Sequence, residues 1–476
     1  MNNDYLNNAA ENIEPLQPAE AEHSPVGPDS GTFKEVAILS GPLVLSFISF
    51  SMMGVVDTLI AGRIGTAEQG AVGLGGMLTW SLCSLFTGTI TVVNTFVAQD
   101  HGAGRLEHIR RHVNTGLTIV PLFAVLVWAV IPFLPVLVGL VGTDPQVAPH
   151  LQSYMTIRLL GSLFLFVNFT ITGFLRGLGD MRTPMVITIV SNLINAGLAW
   201  LLALGSLGFP RMGVAGAATA SVIAIACETG MYVYAYLSAE NHRRYKTRSW
   251  TWPSMPELAE FIKIGLPIGL AWGFEMMSWT AFSIYASTLS EYALAAHMII
   301  FTVIHFSFMP AAAVGITATT LVGRYLGAGR PDLASRSVRA SFITAVTFMS
   351  LTGLTMLILR GVLINAFNTD PKVMEIGAVL VVIAALFQPF DAMGMILGGA
   401  LRGAGDTRYT FIATLASSIT VFIPGVYVLG VVFEMGIVGA WIGALCYTAA
   451  LASMLGARYL GGKWKTMVLT GNDPVR

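Results

Sequence analysis

Charge is what this sequence has least of. Only 11% of its 476 residues are Asp, Glu, Lys or Arg, while 54% are hydrophobic and the mean hydropathy is +0.70. A water-soluble chain of this length needs a far more polar surface, so composition points to the membrane. Neither sign of charge is in excess: 26 basic residues balance 26 acidic ones, which argues against nucleic acid as a partner. Cysteine is nearly absent. Cys83, Cys227 and Cys446 lie singly in apolar runs, without CxxC or metal-ligand spacing, and read as reduced packing residues. There is no GxxxxGKS or GxxxxGKT motif and no loop with room for a nucleotide-binding module, which excludes an ATP-driven pump. No DDxxD-type acidic cluster stands near an interface, as a membrane prenyltransferase would want, so no enzyme activity and no cofactor beyond a coupling ion are expected. Residues 1–32 are polar, acidic and free of Lys and Arg, without the basic and apolar regions of a signal peptide; they are expected to form a disordered cytoplasmic tail.

What is abundant is long apolar runs. A bilayer core takes roughly 20 apolar residues per helix. Twelve windows qualify, at about 36–62, 69–98, 113–141, 150–175, 184–208, 212–238, 257–288, 292–323, 338–366, 373–401, 409–431 and 435–459. They are too long and too evenly apolar for barrel strands, which predicts an all-α integral membrane protein with twelve transmembrane helices. With the tail inside, the inner loops carry fifteen Arg and Lys residues and the outer loops only Arg63, Arg211, Arg360 and Lys372. The positive-inside rule therefore supports the count and places both termini in the cytoplasm.

The chain also writes its loops twice. "LRGLGDMR" at 175–182 returns as "LRGAGDTR" at 401–408, "HGAGR" at 101–105 as "LGAGR" at 326–330, "GTDPQV" at 142–147 as "NTDPKV" at 368–373, and "MGVAGA" at 212–217 as "MGIVGA" at 435–440. The "GP" of Gly41–Pro42 has its match in Leu266–Pro267. Matches in one order at nearly one offset define two six-helix halves. Six is even, so the halves are parallel repeats: two pseudo-symmetric lobes around a central cavity, the architecture of alternating access. The expected division is a tail over 1–32, a first lobe over 33–240, a cytoplasmic linker over 241–256, a second lobe over 257–461 and a C-terminal tail over 462–476. The doubled turn reads as a topological anchor and loop clamp.

Function is sought where the symmetry breaks. Ionisable groups deep in a span are costly, roughly 2.5–3.5 kcal/mol at a helix centre. Glu275 aligns with Phe50, Asp391 with Leu165 and Asp57 with Phe282, so each acid occurs once and two belong to the second lobe. Glu275 and Asp391 are the candidate cation-coupling pair, able to take a proton or to hold Na⁺, the one metal expected. Pro389 adds an expected kink beside Asp391. Asn192 and Asn195 read as interhelical hydrogen-bonding residues that could face the first-lobe cavity beside Asp57. Trp272, Phe274, Met276, Met277 and Trp279 surround Glu275 in sequence; such residues ordinarily pack helices, and here could hold a flat organic cation. Glu228 sits nearer the cytoplasmic end of its helix, Arg158 reads as snorkelling or paired, and His297 and His305 as core histidines.

These motifs resemble the multidrug and toxic compound extrusion (MATE) transporters: "VDT…AG" in helix 1, "GAGR" after helices 2 and 8, "RGxGDxR" after helices 4 and 10, "MGhxGA" opening helices 6 and 12. The likeness covers essentially everything after the tail. It implies export of organic cations and other drugs against an inward flow of Na⁺ or H⁺, by a protein of the bacterial inner membrane that is expected to act as a monomer among lipids. Glu275 and Asp391 match the second-lobe acids that serve coupling in the NorM-type branch, and Asp57 the first-lobe acid. Ala199 stands where the DinF-type branch commonly carries an Asp, which favours the NorM-type arrangement. The rival reading is a lipid or glycolipid flippase of a related fold.

Overall fold

The computed structural model describes residues 27, 29–140, 145–467 and 469, and every regular element among them is helical. Helix α1 is Phe33–Gly62, α2 is Thr66–Gly102 with a break at Thr91, and α3 is Leu106–Gly139. Helix α4 joins Ala148–Leu160 to Ser162–Gly177 through a 45° bend at Gly161. Then come α5 (Arg182–Leu204), α6 (Gly213–Tyr236), α7 (Met255–Leu289), α8 (Glu291–Gly327), α9 (Pro331–Ile358), α10 (Pro371–Ala404), α11 (Thr407–Val432) and α12 (Gly436–Leu460). Each of the twelve apolar windows holds a helix. Ten are long and apolar enough to cross a membrane, and bent α4 makes eleven. Helix α7 has the length, at 35 residues, but its tryptophans, serines and Glu275 dilute its hydropathy. Helix α10 runs through Pro389 as one continuous element, so the proline does not break it.

Residues 1–26 and 28 of the expected tail lie outside the described residues, as do 141–144 of the "GTDPQV" repeat and 468 and 470–476 of the C-terminal segment. Residues 29–32 form a turn against α8: Ser30 is buried, and the Gly31 N–H donates to the Tyr325 hydroxyl at 3.2 Å. Cys83 is buried, whereas Cys227 and Cys446 face outward, so only the first is a core residue.

Each lobe has its own apolar core. Phe96, Val113, Phe123, Phe166 and Phe174 belong to the first lobe's; Leu321, Leu401, Phe387, Phe422 and Trp441 to the second's. The packing repeats with the sequence: α2 lies on α4 as α8 lies on α10, and α5 on α6 as α11 on α12. Small residues permit the closest approaches, as membrane helices require without a hydrophobic drive between them. A Cβ on Gly443 would stand 2.8 Å from the Gly425 carbonyl carbon, and one on Gly323 2.9 Å from the Ala98 Cβ. Two helices cross between lobes. The start of α1 packs on α8, with Val36 in the second lobe's core. The start of α7 packs on α2, with Phe261, Ile264 and Ile268 in the first lobe's core.

The doubled turn has one geometry in both copies. Gly179 N–H donates to Arg176 and Asp180 N–H to Leu175; Gly405 N–H donates to Arg402 and Asp406 N–H to Leu401. That is the Schellman pattern, which needs a left-handed residue after the helix. Gly179 (φ +84°) and Gly405 (φ +88°) supply it. The aspartates then diverge. Asp180 caps α5 through the Arg182 and Thr183 N–H groups, while Asp406 pairs with Arg458 of α12 at 2.7 Å.

Candidate functional site

The lobes meet through the turn-bearing ends of α2 and α8, and they do so reciprocally. Gln99 of α2 donates to the Gly403 carbonyl at 2.9 Å, and Thr95 to the Arg402 carbonyl at 3.1 Å. Position 324 is the repeat partner of 99, and Arg324 of α8 donates to the Leu178 carbonyl at 3.0 Å. Gly102 and Gly327, also repeat partners, let the backbones touch: a Cβ would stand 1.9 Å from the Arg324 oxygen or 2.0 Å from the Gln99 oxygen. Arg324 further approaches Glu35 at 4.0 Å, and Glu35 accepts from the Tyr325 hydroxyl at 2.6 Å. The doubled turn therefore clamps not only neighbouring loops but the two lobes, and it holds that side closed.

In the first lobe, α1, α5 and α6 bring three polar side chains together. Asp57 is buried; its Oδ1 accepts from Asn195 and its Oδ2 from Ser221, both at 2.8 Å. Arg158 of α4 lies within electrostatic reach of it. Asn192 does not join them. It turns to α1, where it donates to the Ser49 carbonyl and hydroxyl at 2.5 Å. Ser221 is uncharged and does not stand out in an apolar run, but its partner in the second half is Ala444, so it too is a break in the symmetry of the repeat.

In the second lobe, Glu275 of α7 and Asp391 of α10 are close enough to act on each other. Arg402 acts on Glu275, and Tyr447 of α12 feels both acids. Arg402 reads as a loop residue in the sequence, but it occupies the last turn of α10. Its guanidinium reaches back along the helix, 3.2 Å from where a Cβ of Gly398 would lie. Ser418, whose buried hydroxyl like that of Tyr447 has no hydrogen-bond partner among the described residues, opens the π-helical stretch Ser418–Phe422 of α11. Such bulges re-aim side chains and recur at functional positions. Two carboxylates within electrostatic reach of each other offer hard oxygens suited to a proton or a small monovalent cation.

The aromatic and Met residues around Glu275 part company in space. Trp279 joins the second lobe's ring cluster with Phe301, Phe387, Phe422 and Trp441, and Trp272 packs on the first lobe's core. Met276 is partly buried, Phe274 lies near Phe411, and Met277 is 66% exposed. His297 is buried among Phe282, Phe301 and Trp441 with its Nε2 on the Ser283 hydroxyl, and His305 stacks near Phe308.

Two lobes of membrane-crossing helices, held together at one end and each carrying carboxylates within its spans, define an integral membrane carrier. The MatE family model matches residues 42–201 and 267–428, beginning in each half at the repeated proline, and the chain belongs to that family. Similar relatives include a multidrug resistance protein PmpM of Pseudomonas aeruginosa, 31% identical over 433 residues covering 89% of this chain and 90% of that protein. A probable multidrug resistance protein NorM of Thermotoga maritima is 28% identical over 442 residues, 92% of this chain and 94% of that one. Among solved structures, the eukaryotic MATE transporter AtDTX14 superposes with a TM-score of 0.83 at 20% identity, covering 91% and 96% of the two chains. An outward-facing MATE family multidrug resistance transporter gives 0.82 at 17%, covering 93% and 97%. These likenesses establish the two-lobe fold.

Proposed function

We propose that this chain is a secondary multidrug efflux antiporter that exports organic cations in exchange for Na⁺ or H⁺; it is a transporter, not an enzyme. The observation that carries the reading is that Glu275 and Asp391, acids of one lobe only, lie within electrostatic reach of each other, with Arg402 in reach of Glu275. Two partly buried carboxylates that act on each other demand neutralisation, so binding of the inward-moving ion and of a cationic drug disfavour each other reciprocally. The closed turn-bearing side is taken as cytoplasmic, because the basic loops gather there. The structure then corresponds to the state that faces out, in which the acids take the ion and the drug leaves. One charge crossing 100 mV supplies about 2.3 kcal/mol, enough for roughly a 50-fold gradient. The protein is placed in a bacterial inner membrane, with both termini inside, acting as a monomer. A flippase reading is disfavoured by the names of the relatives and by a second-lobe site dominated by acids.

The test is ethidium efflux from proteoliposomes under a Na⁺ or a pH gradient imposed separately. One gradient is expected to drive efflux, and Glu275→Gln or Asp391→Asn to abolish the driven component while the protein remains folded. Unchanged efflux from both variants removes these acids from the mechanism.

A further inference from the structure

The first lobe holds a second carboxylate site that the Asp57 pocket does not use. Glu228 of α6 lies two turns from Ser221 on the same helix, toward the turn-bearing side. Thr188 of α5 donates to its Oε1 at 3.2 Å, and Asn168 of α4 to its Oε2 at 3.3 Å. Asn168 is itself held by the Thr229 hydroxyl at 2.7 Å, and Thr188 lies 3.4 Å from the Tyr232 hydroxyl. Beyond Tyr232 stands Arg176, the arginine of the doubled turn. It occupies the last turn of α4, lies over the Phe47 ring of α1, and is within electrostatic reach of Glu228. Its Nε is buried with no hydrogen-bond partner.

Arg176 is the repeat partner of Arg402. In each lobe the turn's arginine therefore lies within electrostatic reach of an acid, but on different helices: Glu275 on α7 in the second lobe, Glu228 on α6 in the first. Glu228 aligns with Leu451, so it too is a break in the symmetry. We propose that Glu228 is a proton-carrying site of the first lobe, alternating between a carboxylate facing Arg176 and a neutral acid. The donor set favours a proton over Na⁺. Both oxygens already accept a hydrogen bond, no second carboxylate among the described residues acts on Glu228, and a guanidinium lies within electrostatic reach. A metal ion would lack ligands there, whereas a proton needs one oxygen lone pair. On loading, one O–H bond forms at Glu228 and the proton comes from water on the side to which the lobe is open; unloading reverses this. Loading also removes the counter-charge of Arg176, one residue before the Gly177–Leu178 segment that Arg324 of the other lobe grips. The charged group facing Glu228 is Arg176 from α4; the Tyr232 phenol of α6 is titratable but neutral, and Thr188 and Ser191 from α5 are neutral.

This inference rests on the antiport reading for its purpose, but its test does not. Infrared titration of the full chain in nanodiscs reads the protonated-carboxyl band across the neutral pH range. In a Glu275→Gln/Asp391→Asn background, a titrating component is expected that Glu228→Gln removes, Glu228→Asp restores at a displaced frequency, and Arg176→Gln moves in midpoint. A band that titrates identically in Glu228→Gln overturns the proposal. Loss of the band in a protein that neither gradient drives leaves the site standing and sinks the antiporter reading instead.

Discussion

Asn195 and Ser221 each satisfy one oxygen of Asp57, so neither is replaceable without leaving a buried carboxylate oxygen bare. An unsatisfied buried acceptor costs about 1–3 kcal/mol. Asn195→Ala and Ser221→Ala are each expected to lower the thermal unfolding midpoint in detergent, and Asn192→Ala, whose partners are on Ser49, to leave the Asp57 site intact. Asp57→Asn is expected to keep the fold and alter drug-linked transport, measured as a change in ethidium efflux. At this scale the acids were legible from the sequence, because a charged residue in an apolar helix with an apolar repeat partner has few structural excuses. Their helpers were not. Arg402, Tyr447 and Ser418 come from three different helices, and only packing brings them to Glu275.

Helices α2 and α8 act as the contact rails between the lobes. Their small residues set how closely the backbones come. Gly102→Ala and Gly327→Ala would drive a Cβ to within 2.0 Å of a carbonyl oxygen of the opposite helix, a distance that no side-chain rotation relieves. Each is expected to loosen the turn-bearing side. A reporter introduced as Ala98→Cys, buried in the closed structure, would then react faster with a maleimide. Gly361→Ala, where nothing lies within 4 Å, is the control expected to leave that rate unchanged. The repeat in the sequence announced that these loops matter twice, but not that each copy reaches across to the other lobe. Contact across the pseudo-two-fold axis has no signature in a linear pattern.

At the scale of the whole molecule, transport requires the closed side to open. A bond across it should stop the cycle. After replacement of the native cysteines, Ala98→Cys with Gly323→Cys places two thiols on α2 and α8 at positions whose Cβ atoms approach to 2.9 Å, short enough for a bridge after a slight adjustment. Oxidation is expected to arrest ethidium efflux and reduction to restore it. Efflux that continues when the bridge is complete would show that the lobes need not part here. The crossing starts of α1 and α7 add a constraint: each is bound to the opposite lobe over its first turns, so opening must bend or slide these two helices rather than simply separate two blocks.

The sequence by itself determined the solvent, the all-helical multi-pass architecture, the duplication and the acids within the spans. These follow from local quantities: the free energy of putting apolar or charged groups into lipid, and the φ > 0 requirement that makes the turn glycines recur. Only the tertiary structure decided which acids face each other, which arginine answers each of them, and that α1 and α7 begin in the opposite lobe. Those are choices among contacts between segments hundreds of residues apart. They are settled by side-chain packing and by the satisfaction of buried polar groups, neither of which a run of hydropathy encodes.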